Sequence, residues 1–284
     1  MPEAVPETAS GTAEIEVPRA RPQSLMLTFL GNYVLGRDVA VFSGSFIEVL
    51  GRLGVGEHAV RSTLSRMVAR GLLTRHRDGR RVFFGLTERS RRVLADGEER
   101  VWERGVVNDD WDGGWTVLAF SLPESWQSRR HELRSRLAWA GFGPVGNGLW
   151  ISPARVDVAE VTADLGLDAH VRVFAGPVLP PTDEASMIRD AFDLDAIAAG
   201  YRAWLDRWDH PEPAPEAPDD LARYLLVTTE WLDLVRADPR IPLRHLPYGW
   251  PAIRAQERLY TLRDRYQARA RDLADRSLEL AELR

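Results

Sequence analysis

Residues Val55 to Leu86 read VGEHAVRSTLSRMVARGLLTRHRDGRRVFFGL. Gly56 suits an N-cap, the pattern from Glu57 to Arg70 is amphipathic, and Gly71 ends it. Two short strands follow, Leu72-Leu73-Thr74-Arg75 and Arg81-Val82-Phe83-Phe84, joined by Arg77-Asp78-Gly79-Arg80. Asp-Gly between two such runs is a strong hairpin signal. Between Arg61 and Arg92 ten arginines face only Asp78 and Glu88. A helix followed by a basic hairpin is the reading unit of a winged helix-turn-helix: the helix enters the major groove and the wing lies along phosphates.

At about 100° per residue, Val60, Leu64, Met67, Val68 and Gly71 share one side of the helix. His58, Ser62, Ser65, Arg66 and Ala69 take the opposite side, flanked by Arg61 and Arg70. Small polar neighbours let a helix seat close to base edges, so His58, Ser62, Ser65 and Arg66 are the candidate base readers. Arg66 suits a bidentate contact to guanine, worth about 1–3 kcal/mol of discrimination. Arg61, Arg70, Arg75, Arg77, Arg80 and Arg81 are the candidate phosphate contacts.

The net charge of −5 conceals a division along the chain. Residues 1–18 hold four acids and no arginine, residues 19–104 hold 16 arginines against nine acids, and residues 105–284 hold 21 arginines against 29 acids. A basic head on an acidic body fits a DNA reader joined to a sensing and dimerising unit. The absence of cysteine excludes disulfides, thiolate metal sites and thiol catalysis. All 37 basic residues are arginine, which excludes a P-loop and a lysine Schiff base. No apolar run reaches the roughly 18 residues of a membrane span, and the acidic start lacks the form of a signal peptide, so a cytoplasmic location is expected.

Outward from the opening stretch, the expected fold class is α+β. Residues 1–18 are expected to be a disordered tail and 19–105 the winged helix domain, with apolar helices over 24–36 and around Phe46 to Leu50 and a charged helix near Thr87 to Arg104. Residues 106–182 show strands at Trp115 to Ser121, Gly148 to Ser152 and His170 to Phe174, with helices at Ser125 to Trp139 and Val156 to Leu165. That order suits a ferredoxin-like α/β domain with one strand unplaced. Residues 183–284 read as a helical domain, with a proline-rich linker over 209–218 and a last helix from Trp250 to Leu283.

The segments Ser24-Leu25…Leu30-Gly31-Asn32-Tyr33, Ala59-Val60-Arg61-Ser62-Thr63-Leu64-Ser65-Arg66-Met67-Val68…Gly71-Leu72-Leu73, Gly79-Arg80-Arg81…Leu86-Thr87 and Leu246-Pro247-Tyr248-Gly249-Trp250-Pro251 together resemble the PaaX family of bacterial repressors of phenylacetate catabolism. The resemblance runs from about residue 22 to 270; it departs at Gly56, where the family pattern suggests a serine-like cap. It implies a homodimer that binds a double-stranded DNA operator and releases it on binding a small-molecule effector such as the coenzyme A thioester phenylacetyl-CoA.

No catalytic residue and no metal ligand set is expected. Gly141-Phe-Gly-Pro-Val-Gly146 matches GxGxxG but follows a helix and precedes a strand, so it reads as a turn rather than a dinucleotide loop. The central fold is similar to a small CRISPR-associated endoribonuclease that carries a carboxylate at the end of its first strand. Here Ser121 stands there, and the nearest carboxylate, Glu124, lies beyond Pro123. A metal-dependent nuclease and a sensor-less architectural DNA-binding protein are the competing readings. The ten tryptophans all lie at or beyond Trp102 and read as core and dimer contacts, with the lining of an aryl or acyl pocket as the alternative. Arg129, Arg130, Arg134 and Arg136 on the central helix are candidates for an effector's phosphates, though a solvated helix face accounts for them equally.

Overall fold

Apolar residues at helical spacing build the first helix, α1 (Pro22–Tyr33), whose Leu25, Met26, Phe29 and Leu30 are almost completely buried. The computed structural model describes residues 20–283; the tail expected over 1–18 lies outside the described residues. A short strand, β1 (Val39–Phe42), leads into α2 (Ser43–Gly51). A turn through Gly54, at φ +75°, reverses the chain into α3 (Glu57–Ala69). Phe46 of α2 packs edge-on to Phe29 of α1, with ring centroids 5.8 Å apart.

The hairpin is β2 (Leu73–Asp78) and β3 (Arg81–Leu86), paired up to Asp78 opposite Arg81. Its strands therefore run further than Arg75 and its turn is only Gly79-Arg80, where Gly79 at φ +57° supplies the left-handed residue of a Gly-X turn. Beyond it, α4 (Glu88–Glu98) starts at the Thr87 cap and continues through a wider π turn over Glu99–Glu103.

The sheet of this head has the order β2-β3-β1-β8, and its fourth strand comes from the other end of the described chain. Residues expected to prolong the last helix instead leave it at Ser277, and β8 (Leu280–Glu282) pairs antiparallel with β1. The helix-compatible composition is overridden because β1 would otherwise expose an unpaired edge. Phe42 N donates to Glu279 O at 2.9 Å and Leu283 N to Asp38 O at 3.1 Å.

In the middle of the chain, β4 (Trp115–Phe120), α5 (Gln127–Trp139), β5 (Gly143–Gly146), β6 (Leu149–Ser152), α6 (Val158–Thr162) and β7 (Val171–Gly176) form a second antiparallel sheet, in the order β5-β6-β4-β7. Two β-α-β units are thus each split by a strand of the other. The unplaced strand is β5, within the glycine-rich stretch expected to be a turn. It carries Pro144 and a pairing irregularity between Pro144 and Gly146, as an edge strand tolerates. Gly143 is there for space: a Cβ would stand 2.5 Å from Ala191 O and 2.6 Å from the Phe192 ring.

One face of this sheet buries Leu118 and Trp150 with Leu133 and Leu137 of α5. The other face places Trp115 and Ile151 against Ile188 and Phe192, at and just after α7 (Glu184–Ala191), and Ile241.

Three long helices complete the molecule: α8 (Leu194–Trp208), α9 (Asp220–Ala237) and α10 (Pro251–Ser277). Tyr201, Trp204, Trp208 and Trp231 are buried, and Trp204 lies 5.1 Å from Trp231, a core role for four aromatic residues. Their core is continuous with that of the head, α1 lying along α9. Buried Thr229 hydrogen-bonds Thr28 across the contact at 2.8 Å, Ser277 donates to Glu48 at 2.5 Å, and Arg52 pairs with Asp219. Among the described residues, no helix is long and apolar enough to cross a membrane.

Candidate nucleic-acid interface

The third helix is held by its apolar side. Val60, Thr63, Leu64 and Met67 are at most 1 % exposed, packed against α1, α2 and the root of the hairpin. Its start has no side-chain cap, as Gly56 dictates, but Glu57 in the first turn complements the helix dipole. At about 1.5 Å per residue the 13 residues span roughly 20 Å. The outward side presents His58, Ala59, Arg61, Ser65, Arg66, Ala69 and Arg70; Ser62 is half-buried at the rim.

Arg66 folds back along its own helix, donating to Ser62 Oγ at 3.3 Å and Thr63 Oγ1 at 2.9 Å. Helical side chains point toward the preceding turn, so these hydroxyls pre-orient the guanidinium over the middle of the exposed face. Ser65 donates to Arg61 O at 3.0 Å, and Arg61 pairs with Glu57 at 2.7 Å. At the far end Arg70 reaches Gln23 of α1 at 3.3 Å, while Arg89 of α4 donates to Arg70 O at 3.2 Å. Arg89 had not been singled out; its signal was membership of the ten-arginine window.

On the hairpin, Arg75 and Arg77 lie on the same sheet face as Leu73, Phe84 and Leu86, the face that packs on the helices. Arg80 occupies the turn. Arg81 lies on the opposite face, where it pairs with Glu279 and stacks over Phe42 at 4.4 Å, so it ties β3 to the segment leading into β8. Among the described residues, of the ten arginines between 61 and 92 only Arg61, Arg81 and Arg91 have a carboxylate partner; seven have none. The surface formed by α3 and the hairpin is therefore a field of uncompensated guanidinium charge, suited to phosphate.

The four arginines of α5 are spent elsewhere or stand apart. Arg129 stacks on Trp126 at 4.4 Å, Arg130 donates to Leu122 O at 2.8 Å, and Arg136 donates to Ala163 O at 2.6 Å and pairs with Glu132. Arg134 is exposed. Ser121 follows β4 and Glu124 is exposed. No cluster of three or more potential metal ligands occurs among the described residues.

Residues 21–90 match the PaaX-like protein family, 108–188 the PaaX protein central Cas2-like domain, and 192–276 the PaaX-like protein C-terminal domain. The chain is 26% identical over 246 residues to the transcriptional repressor PaaX of Escherichia coli (strain K12), covering 82% of this chain and 77% of that protein. In structure it is similar to the uncharacterized protein Rv0674 from Mycobacterium tuberculosis, with a TM-score of 0.59 at 20% identity, over 90% of this chain and 99% of that one.

Proposed function

Because this chain belongs to the PaaX family, we propose that it is a DNA-binding transcriptional repressor whose head, a winged helix-turn-helix, reads an operator with α3 and the β2–β3 wing. The observation that carries this reading is the exposed face of α3 beside a hairpin in which Arg75, Arg77 and Arg80 have no carboxylate partner among the described residues. Arg66, with His58, Ser62 and Ser65, reads bases; Arg61, Arg70, Arg75, Arg77, Arg80 and Arg89 hold phosphates.

The protein works in the cytoplasm as a homodimer on a two-fold operator, so that two heads meet half-sites about one helical turn or a multiple apart. The ferredoxin-like middle and the helical C-terminal part supply the dimer and the response to a small-molecule effector; a coenzyme A thioester is the class the family resemblance puts forward for test. The molecule needs no catalytic group for this work.

Fluorescence anisotropy with labelled DNA from the protein's own promoter, at several salt concentrations, tests the reading. Sequence-selective binding whose affinity falls steeply with salt is expected; equal, weak affinity for promoter and random duplex would overturn it. The Cas2-like match raises a nuclease as a second reading. Chelator-sensitive cleavage of RNA or DNA by the purified chain would support that instead.

A further inference from the structure

The two edges of the middle sheet are unlike. At one end β5 carries Pro144 and a pairing irregularity, devices that keep an edge from taking up another strand. At the other end β7 carries neither: it pairs with β4 residue for residue from Val171 to Gly176. Its side chains are apolar and open, with Val173 at 44% exposure and Phe174 at 63%, and Leu179 just beyond the strand is 68% exposed. A regular edge with exposed apolar side chains is a template for another strand and a liability in a lone molecule.

The pairing register fixes which main-chain groups are free. Ser121 N donates to His170 O at 3.1 Å, in line with the β4–β7 pairing, so Arg172, Phe174 and Gly176 turn their main chain to β4. The N–H and C=O of Val171, Val173 and Ala175 therefore point to the open side. Of these, the Val171 carbonyl already accepts from Arg172 Nη1 at 2.8 Å. Val173 and Ala175 each keep one donor and one acceptor, a set complementary to itself when a second such strand runs antiparallel. Phe174, opposite Val117, and Arg172 lie on the sheet face of Trp115 and Ile151. Over that face Val117, Gly176 and Leu179 line an apolar hollow, with Asp183 and Asp190 also in its wall. Neither these carboxylates nor Arg172 has an ion-pair partner among the described residues.

We propose that the β7 edge is the two-fold interface between two copies of this chain, β7 pairing antiparallel with the second copy's β7 about an axis at Phe174. The inference deepens the repressor reading and rests on it for the need for two heads. In this register Val173 of each strand faces Ala175 of the other, and each of the two pairs exchanges two hydrogen bonds. Phe174 meets its own counterpart at the axis, in a non-hydrogen-bonded position where side chains come closest. The ladder stops where Val171 faces Pro177, which has no N–H to give. Arg172 lies opposite the second copy's Gly176, beside the hollow that holds Asp183 and Asp190, so charge is complementary as well. A centre at Arg172 would oppose two arginines, and a centre at Val173 would call on the Val171 carbonyl already taken. The two four-stranded middle sheets become one sheet of eight strands, closed by a single isologous contact.

The test uses the whole chain without DNA, followed by sedimentation over a concentration series. A dimer is expected. Phe174→Asp, which sets two carboxylates at the axis, is expected to raise its dissociation constant ~100-fold or more, with the fold retained by far-UV circular dichroism. The chain has no cysteine, so one introduced thiol reports one distance. Phe174→Cys under diamide is expected to give a disulfide-linked dimer, because Cα atoms ~4.5 Å apart at the axis lie within disulfide reach. Arg172→Cys is the control, its two copies standing ~13 Å apart along the strands and staying unlinked. A monomer at every concentration, a dimer that Phe174→Asp leaves intact, or cross-linking no faster in Phe174→Cys than in Arg172→Cys overturns the proposal. Operator binding is read separately on the same samples. Selective binding by a chain that fails these tests removes this interface and leaves the DNA reading standing.

Discussion

At the residue scale, the division of work proposed for Arg66 and the hairpin arginines is one that substitution separates. Arg66→Ala is expected to cost about 1–3 kcal/mol on the preferred operator but much less on base-substituted sites, flattening sequence preference. The double variant Arg75→Ala, Arg77→Ala is expected to weaken all duplexes alike and to reduce the slope of log K against log salt by about 2. Arg81→Ala separates from both: its charge is engaged with Glu279 and Phe42, so it is expected to lose up to about 1 kcal/mol of stability with little change in that slope. Anisotropy over a salt series and urea melts check all three. Buried Glu230 gives a pH test: it accepts from Trp208 Nε1 at 2.6 Å, and burial raises its pKa above the usual glutamate value. A carboxyl raised on folding stabilises most below its unfolded pKa of about 4.5, and that contribution is lost as pH rises through the folded value. Wild type is therefore expected to gain on Glu230→Gln as pH is lowered toward 4.5, measured as the difference between their urea-unfolding free energies.

At the element scale, what could be read depended on whether the decisive contact is local. The α3 helix and its hairpin were readable because Gly56, Gly71 and Asp78-Gly79 are chain-local signals flanking strong apolar periodicity. The strand β5 was not, since only Val145 in it favours a strand; its place is set by pairing with β6 and by the close approach of Ala191 and Phe192. Gly143→Ala is accordingly expected to destabilise the protein by about 1–3 kcal/mol in urea unfolding. Strand β8 hid inside a helix-forming composition because its partner, β1, is over two hundred residues away. Removing residues 279–284 deletes the hydrogen bonds to Asp38 and Phe42 and reopens the β1 edge, an expected loss of roughly 2–3 kcal/mol with a new tendency to aggregate, read by melting and light scattering. Among the site residues, the phasing of α3 was readable from periodicity, whereas the diversion of Arg81 to Glu279 was not, because no spacing in the sequence links those two positions.

At the scale of the whole molecule, head and C-terminal helices behave as one body. One buried cluster runs from Leu25 to Ala274, whereas Leu118, Leu133, Leu137 and Trp150 form a core of their own in the middle sheet. Native-state hydrogen exchange is expected to give the same opening free energy for buried amides of α1 and α9, and a separate value for α5. Distinct values for α1 and α9 would contradict the shared core.

The pairing of β8 with β1 also places the head on a clock. Ribosomes emit about 5–20 residues per second, and 194 positions separate the end of β3 at Leu86 from Leu280. For some 10–40 s after β3 has been made, a nascent chain lacks the strand that closes its own sheet. The sheet of the head is therefore closed only after the C-terminal helices have been made.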